Sequence, residues 1–246
     1  MTAQTRLDLA DQGEAADLAA FLGRLLRFDR AAAVRLQAVP GAGAGSGAEA
    51  GSGSGTGAAG GGVLAVFGRL PLGGSAVLAV RTARLAALAA PADLTVSAGQ
   101  LLESVDEPGA ALGLPAPVTG PAWAGLLPPR SGWQPLGSPP VDAVLREVLA
   151  AVEEFKARTA EVPDQHRTRQ VVDALADEIW SRPLAAVDGL PLRAAHAAHA
   201  IGFLRPGQPL SAHRAGAWLR LDAPAGSVAL RTAAAPGAGL GLSPLR

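Results

Sequence analysis

Residues 190–231, LPLRAAHAAHAIGFLRPGQPLSAHRAGAWLRLDAPAGSVALR, restrict the fold more than any other stretch of the chain. They read as a short helix, a break of Pro and Gly, and two alternating strands about a tight loop. Ala217, Leu219 and Leu221 fall on one side of the first strand and Trp218, Arg220 and Asp222 on the other. Val228 and Leu230 resume the alternation after DAPAG, whose Asp, Pro and Gly supply turn chemistry. Two longer amphipathic helices precede this stretch. The resulting order, three helices and a hairpin, is that of a winged helix and of many α+β interaction modules.

The helical partners are read from apolar spacing. Val141, Val144, Leu145, Val148, Leu149, Val152 and Phe155 form one continuous stripe, with Ser138, Pro139 and Pro140 suited to open the helix. Pro163 interrupts, and a second helix is expected over 164–181, packing Val171, Val172, Leu175, Ile179 and Trp180. Near the N-terminus, Leu18, Phe21, Leu22, Leu25 and Phe28 give a helix over 15–28, acidic at its start and basic at its end. Strand patterns follow at 33–39, 63–70 and 75–85, an antiparallel meander. A capping box, Ser97 with Gln100, opens a short helix that ends near Val105.

Two compositional breaks divide the chain. Residues 41–62 hold 11 Gly in 22 positions, too little apolar surface to offset ordering entropy, so a disordered hairpin tip is expected there. Residues 108–140 hold nine Pro in 33 positions around Trp123 and Trp133. The division read from these breaks is an α+β meander domain over 1–107, a Pro/Trp-rich crossover over 108–140, and a helical segment with a C-terminal β-hairpin over 141–246. In the crossover the tryptophans either pin the chain to a core or form a docking surface for a partner; two Trp in a flexible linker would be costly to leave in water.

The phrases AVRTARL, PADLTVSAGQLL, LPPRSGWQPLG, DEIWSRPL, LPLRAAHAAHAIGFLRPG and GAWLRLDAPAGSVALR resemble a group of actinobacterial conserved hypothetical proteins. The resemblance spans nearly the whole chain outside the glycine run. It implies a cytoplasmic bacterial setting and carries no site residue across.

Composition excludes several chemistries. Cys is absent, which removes disulfides, thiolate zinc sites and a Cys nucleophile together. Twenty-one basic residues balance 21 acidic ones, so no global attraction to nucleic acid or anionic membrane is expected. No stretch approaches the roughly 18 apolar residues of a membrane span, and the N-terminus lacks the apolar core of a secretory signal. Gly55, Gly57 and Gly60 match G-x-G-x-x-G, but a strand follows where the dinucleotide fingerprint needs a helix, and half the segment is glycine. Lys156, the sole lysine, lies in EEFKART without a phosphate loop. No cofactor is implied.

Three constellations could carry function. His196 and His199, three apart on the last helix, with His213 beyond it, could offer a zinc site, although the H-E-x-x-H spacing and glutamate are missing. No paired carboxylates stand in an apolar setting and no G-x-S-x-G elbow occurs, so no catalytic residue is assigned. From 179 to 246 seven Arg face two acids, Asp188 and Asp222. Arg193, His196, His199, Arg205, Arg214, Arg220 and Arg231 are the candidate partner or nucleic-acid contacts, and Trp123 and Trp133 the candidate docking surface. The alanine-rich helix lacks Asn, Gln and Lys readers. It suits close packing against protein better than base readout. The expectation is a non-catalytic cytoplasmic interaction or regulatory protein with a protein partner and no inferred small-molecule ligand. A winged-helix nucleic-acid binder is the alternative, and a His-dependent metalloenzyme a distant third.

Overall fold

A computed structural model describes residues 5–41, 61–73 and 77–232. The glycine run expected to be a disordered tip, with its G-x-G-x-x-G match, lies from 42 to 60 outside the described residues. Two compact units make up the chain, Met1–Leu70 with Ala79–Leu127, and Pro71–Leu78 with Pro128–Arg246. The division falls inside the Pro-rich stretch 108–140. Both units combine helices with antiparallel strands, so the fold is α+β.

The first unit opens with β1 (Arg6–Leu9) and α1 (Gln12–Phe28). Asp11 caps α1 by accepting a hydrogen bond from the Glu14 amide at 3.0 Å. Ala15, Leu18, Phe21, Leu22 and Leu25 form its buried stripe. Replacing Asp11 by Ala is expected to lower stability by about 1 kcal/mol, measured as a shift in the denaturation midpoint at unchanged slope. Strands β2 (Ala33–Pro40), β3 (Gly62–Leu70) and β4 (Val77–Ala87) form the meander; β4 enters this unit at Ala79. A Cβ on Gly68 would stand 2.5 Å from Leu25 Cδ2, so glycine is what lets α1 seat on β3.

The meander is extended on both sides by strands the periodicity does not announce. These are β5 (Ala92–Ser97) and, after α2 (Ala98–Glu103), β6 (Val105–Asp106) and β7 (Ala111–Gly113). The order is β5-β2-β3-β4, then β1, β7 and β6. Beyond β7 the chain returns to β5, where the Val118 amide donates to the Thr95 carbonyl at 2.9 Å. Ion pairs fasten α1 to β4: Arg81, 8% exposed, donates to Asp17 at 2.9 Å, and Arg84 donates to Glu14 at 2.7 Å and Asp11 at 2.9 Å.

The second unit begins with β8 (Gln134–Gly137), followed by α3 (Val141–Glu161), α4 (Arg169–Trp180) and α5 (Leu192–Ala200). The chain then forms β9 (Ser211–Ala215), β10 (Trp218–Ala223) and β11 (Gly226–Arg231). The expected two-stranded hairpin is thus part of a four-stranded antiparallel sheet ordered β11-β10-β9-β8. The reason lies in SAHRA and QPLG: each is too short, and too mixed in polarity, to register as a strand until a neighbour supplies its hydrogen bonds.

On α5, Leu192, Arg193, Ala194, Ala195, Ala197 and Ala198 are all buried, and the helix packs on β10, β11, α3 and α4. Its alanines permit that close approach. On α4, in contrast, burial is confined to Ile179 and Trp180. Val172 and Leu175 are half-buried and Val171 is exposed. Charge ties α4 back to α3: Arg158 donates to both oxygens of Glu178, at 2.7 and 2.8 Å, and Arg182 to both of Glu154, at 2.6 and 2.7 Å.

Candidate functional site

The register of the second unit's sheet decides which side chains share a face. Leu219 pairs with Leu230 and Leu221 with Val228, and all four are buried with Ala212 on the side that receives α5. By the two-residue alternation, the opposite face carries Ser211, His213, Arg220, Asp222, Ser227 and Arg231, together with the buried Ala215, Trp218 and Ala229. Arg220 stands directly opposite His213, and Asp222 between Ser211 and Ser227.

Three of these side chains are locked together. The Arg220 Nε donates to Asp222 Oδ2 at 2.8 Å, and His213 Nδ1 lies 2.8 Å from the same oxygen. A carboxylate accepts, so His213 donates to it through Nδ1–H. The side chains of His213, Arg220 and Asp222 remain 23%, 28% and 27% exposed. Above Arg220 lies Trp133, its ring centroid 4.3 Å from the guanidinium carbon, a cation–π pair. Trp133 is itself oriented by donating Nε1–H to the Pro129 carbonyl at 2.9 Å. The Nη1 and Nη2 groups of Arg220 find no acceptor among the described residues.

The other candidates are dispersed. Arg193 is 8% exposed and donates to Asp177 at 2.7 Å and to Ser181 at 3.3 Å, so its charge is satisfied inside the unit. His196 stacks face to face on Trp180, centroids 3.8 Å apart and planes 5° apart. Its Nδ1 is buried without a hydrogen-bond partner among the described residues. Burial first, then the charges of His199 and Arg193, hold its pKa down at about 4, so the ring is neutral at pH 7. His199 is half-buried, and Arg205 and Arg214 are exposed. Arg214 pairs with Leu219 in register, which places it on the α5 side of the sheet, away from Arg220 and Arg231.

Two sequence expectations need correcting. The alanine-rich helix expected to suit close packing is largely covered by β10, β11, α3 and α4, and Arg193, one of the candidate contacts, is buried and not a surface contact. The Pro-rich stretch is not one strap with two tryptophans: Trp123, on a 3₁₀ turn at Ala122–Gly125, belongs to the first unit and Trp133 to the second. Among the described residues no three His, Asp or Glu side chains are gathered as a metal ion would require, and His196 and His213 have separate partners.

Sequence reasoning undervalued Asp222 and His213. Asp222 was placed on the correct face by alternation. His213 was placed only as lying beyond the last helix, and β9, paired on both edges, brings it across from Arg220.

A family model described as Domain of unknown function (DUF8010) matches residues 2–125, and one described as Domain of unknown function (DUF8185) matches residues 128–235. The break between the two matches brackets the division of the units after Leu127. No curated protein and no solved structure matches the chain. Among the described residues no helix is long and apolar enough to cross a membrane.

Proposed function

Since the chain belongs to the family described as Domain of unknown function (DUF8010), a description that states no activity, we propose a function from its own surface: a cytoplasmic bacterial interaction protein. Its contact surface is the outer face of the β8–β11 sheet. The observation that carries this reading is the half-exposed Trp133 held over Arg220, itself fixed by Asp222 and His213.

Trp and Arg are the residue types that dominate binding energy at protein interfaces. Side chains already held in place lose little conformational entropy when a partner arrives. The nucleic-acid alternative has less support, because Arg193 is buried and Arg214 lies on the other face from Arg220 and Arg231, so the charges form no single phosphate track.

Affinity capture from a lysate of the source bacterium, with the native chain and with Trp133→Ala, tests the proposal. One captured protein, purified and titrated, is expected to bind the native chain at least about thirtyfold more tightly than the variant, the loss of a hot-spot residue worth ~2 kcal/mol. Identical retention by both chains, or a shift of random duplex DNA abolished by Arg214→Ala, would overturn it.

A further inference from the structure

Resting on that interaction reading, we infer that the outer sheet face takes an acidic segment of the partner protein, with a Glu or Asp carboxylate seated on the free edge of Arg220. The argument is charge and donor geometry. Arg220 has spent Nε on Asp222, and Nη1 and Nη2 have no acceptor among the described residues. Two parallel N–H donors on one planar group match the two oxygens of a carboxylate.

Asp222, the one acid in 211–231, already accepts from Arg220 and His213 through Oδ2. Arg231 adds a second positive charge: Ala229 pairs with Arg220 and Arg231 lies two residues further along β11, exposed on the same face. Diagonal positions of this kind stand roughly 7–8 Å apart, a spacing that acidic side chains of one extended segment can bridge. Trp133 walls the Arg220 site on one side, excluding water from a bound carboxylate and packing against the methylenes of its side chain.

The probe is fluorescently labelled hexaglutamate, with hexalysine, inorganic phosphate and random duplex DNA as competitors, read by anisotropy on the full chain. Hexaglutamate is expected to bind and to weaken steeply with salt, as contacts between exposed charges do. Arg231→Glu is expected to weaken it at least about tenfold, and Arg220→Gln to weaken it as well while keeping an amide donor for Asp222. Arg214→Glu, on the other sheet face, leaves binding unchanged. Circular dichroism and melting of each variant confirm folding. No binding of hexaglutamate, equal loss with Arg214→Glu and Arg231→Glu, or displacement by phosphate or DNA as readily as by unlabelled peptide would overturn the inference. A captured partner that depends on Trp133 but contacts the face through an apolar or basic segment defeats this inference and leaves the interaction reading standing; absence of any Trp133-dependent partner defeats both.

Discussion

Phe203→Ala is expected to destabilise the second unit by about 3–5 kcal/mol, the largest single-residue effect foreseen for this unit. Phe203 is fully buried just past the end of α5. Its ring fills the space that a side chain at the first residue of β11 would need: a Cβ on Gly226 would stand 2.5 to 2.8 Å from three ring carbons. Gly226 also adopts φ 149, a conformation other residues rarely hold. The joint between α5 and the sheet is therefore one aromatic ring set into one glycine. Removing the ring leaves a cavity that a rigid strand cannot close. Gly226→Ala attacks the same joint from the other side and is also destabilising, through overpacking and backbone strain. Because both changes act on one contact, Gly226→Ala is expected to cost less in the Phe203→Ala background than alone. Urea denaturation followed by far-ultraviolet circular dichroism measures all three. Strictly additive effects would show that the ring and the glycine do not share a site.

A loss of about 3 kcal/mol is expected as pH falls from 6.5 to 4, traceable to His196. In the folded chain burial against Trp180 holds the His196 pKa at about 4, while an unfolded His titrates near 6.5. Above pH 6.5 neither state carries the proton and stability is full. Below it the unfolded chain takes up a proton that the folded chain refuses, so unfolding gains about 1.4 kcal/mol per pH unit until the folded ring also protonates. The charged groups nearest the ring act in one direction: Arg193 and His199 both oppose a third positive charge, and Asp177 is already held by Arg193. Glu154, held below its usual range by Arg182, and Glu178, held low by Arg158, lose their stabilising effect only at more acid pH. The His196 contribution from pH 6.5 to 5 is therefore read as the difference between the native chain and a variant at this position. His196→Phe keeps an aromatic ring on Trp180 and removes the titrating nitrogen. Its stability is expected to be flatter across that interval, and curves parallel to the native chain would refute the assignment.

The helices were the legible part of this fold, for a physical reason. Apolar spacing in α1 and α3 marks one face as hydrophobic whatever the rest of the chain does. It does not say what arrives to cover that face. On α3, Val141, Val144 and Val148 are buried as the stripe implies, yet Leu149 is 49% exposed and Leu145, Val152 and Phe155 only half-buried. On α4 only the last two residues of the expected apolar set are covered. Strands depended on length and company. β2 was plain from Val34, Leu36 and Ala38 alternating with Arg35 and Gln37, and all three apolar residues are buried. β1, β7, β8 and β9 are at most five residues long, and each pairs with a strand distant in sequence that offers hydrogen bonds. Local pattern carries no record of that. The six-residue β5 was absorbed into the approach to the α2 capping box.

The candidate site repeats the lesson. Trp133 and Arg220 each stood out alone, as a tryptophan in a Pro-rich stretch and an arginine on a strand. Their meeting requires β8 to lie beside β9, a pairing across 75 to 80 residues of sequence, and β9 beside β10. The same topology separates Arg214 from Arg220. Sequence alone grouped them because both lie in one basic tail, whereas alternation on paired strands sends them to opposite faces.

The central claim is that the outer face of the β8–β11 sheet is where this protein meets its partner. The most direct measurement places a photoreactive phenylalanine analogue at Pro135, exposed on that face opposite His213, and in a second chain at Val171, exposed on α4. Irradiation in cells of the source organism should give a discrete crosslinked protein from position 135 and none from position 171. Crosslinking from 171 with none from 135 would contradict the account.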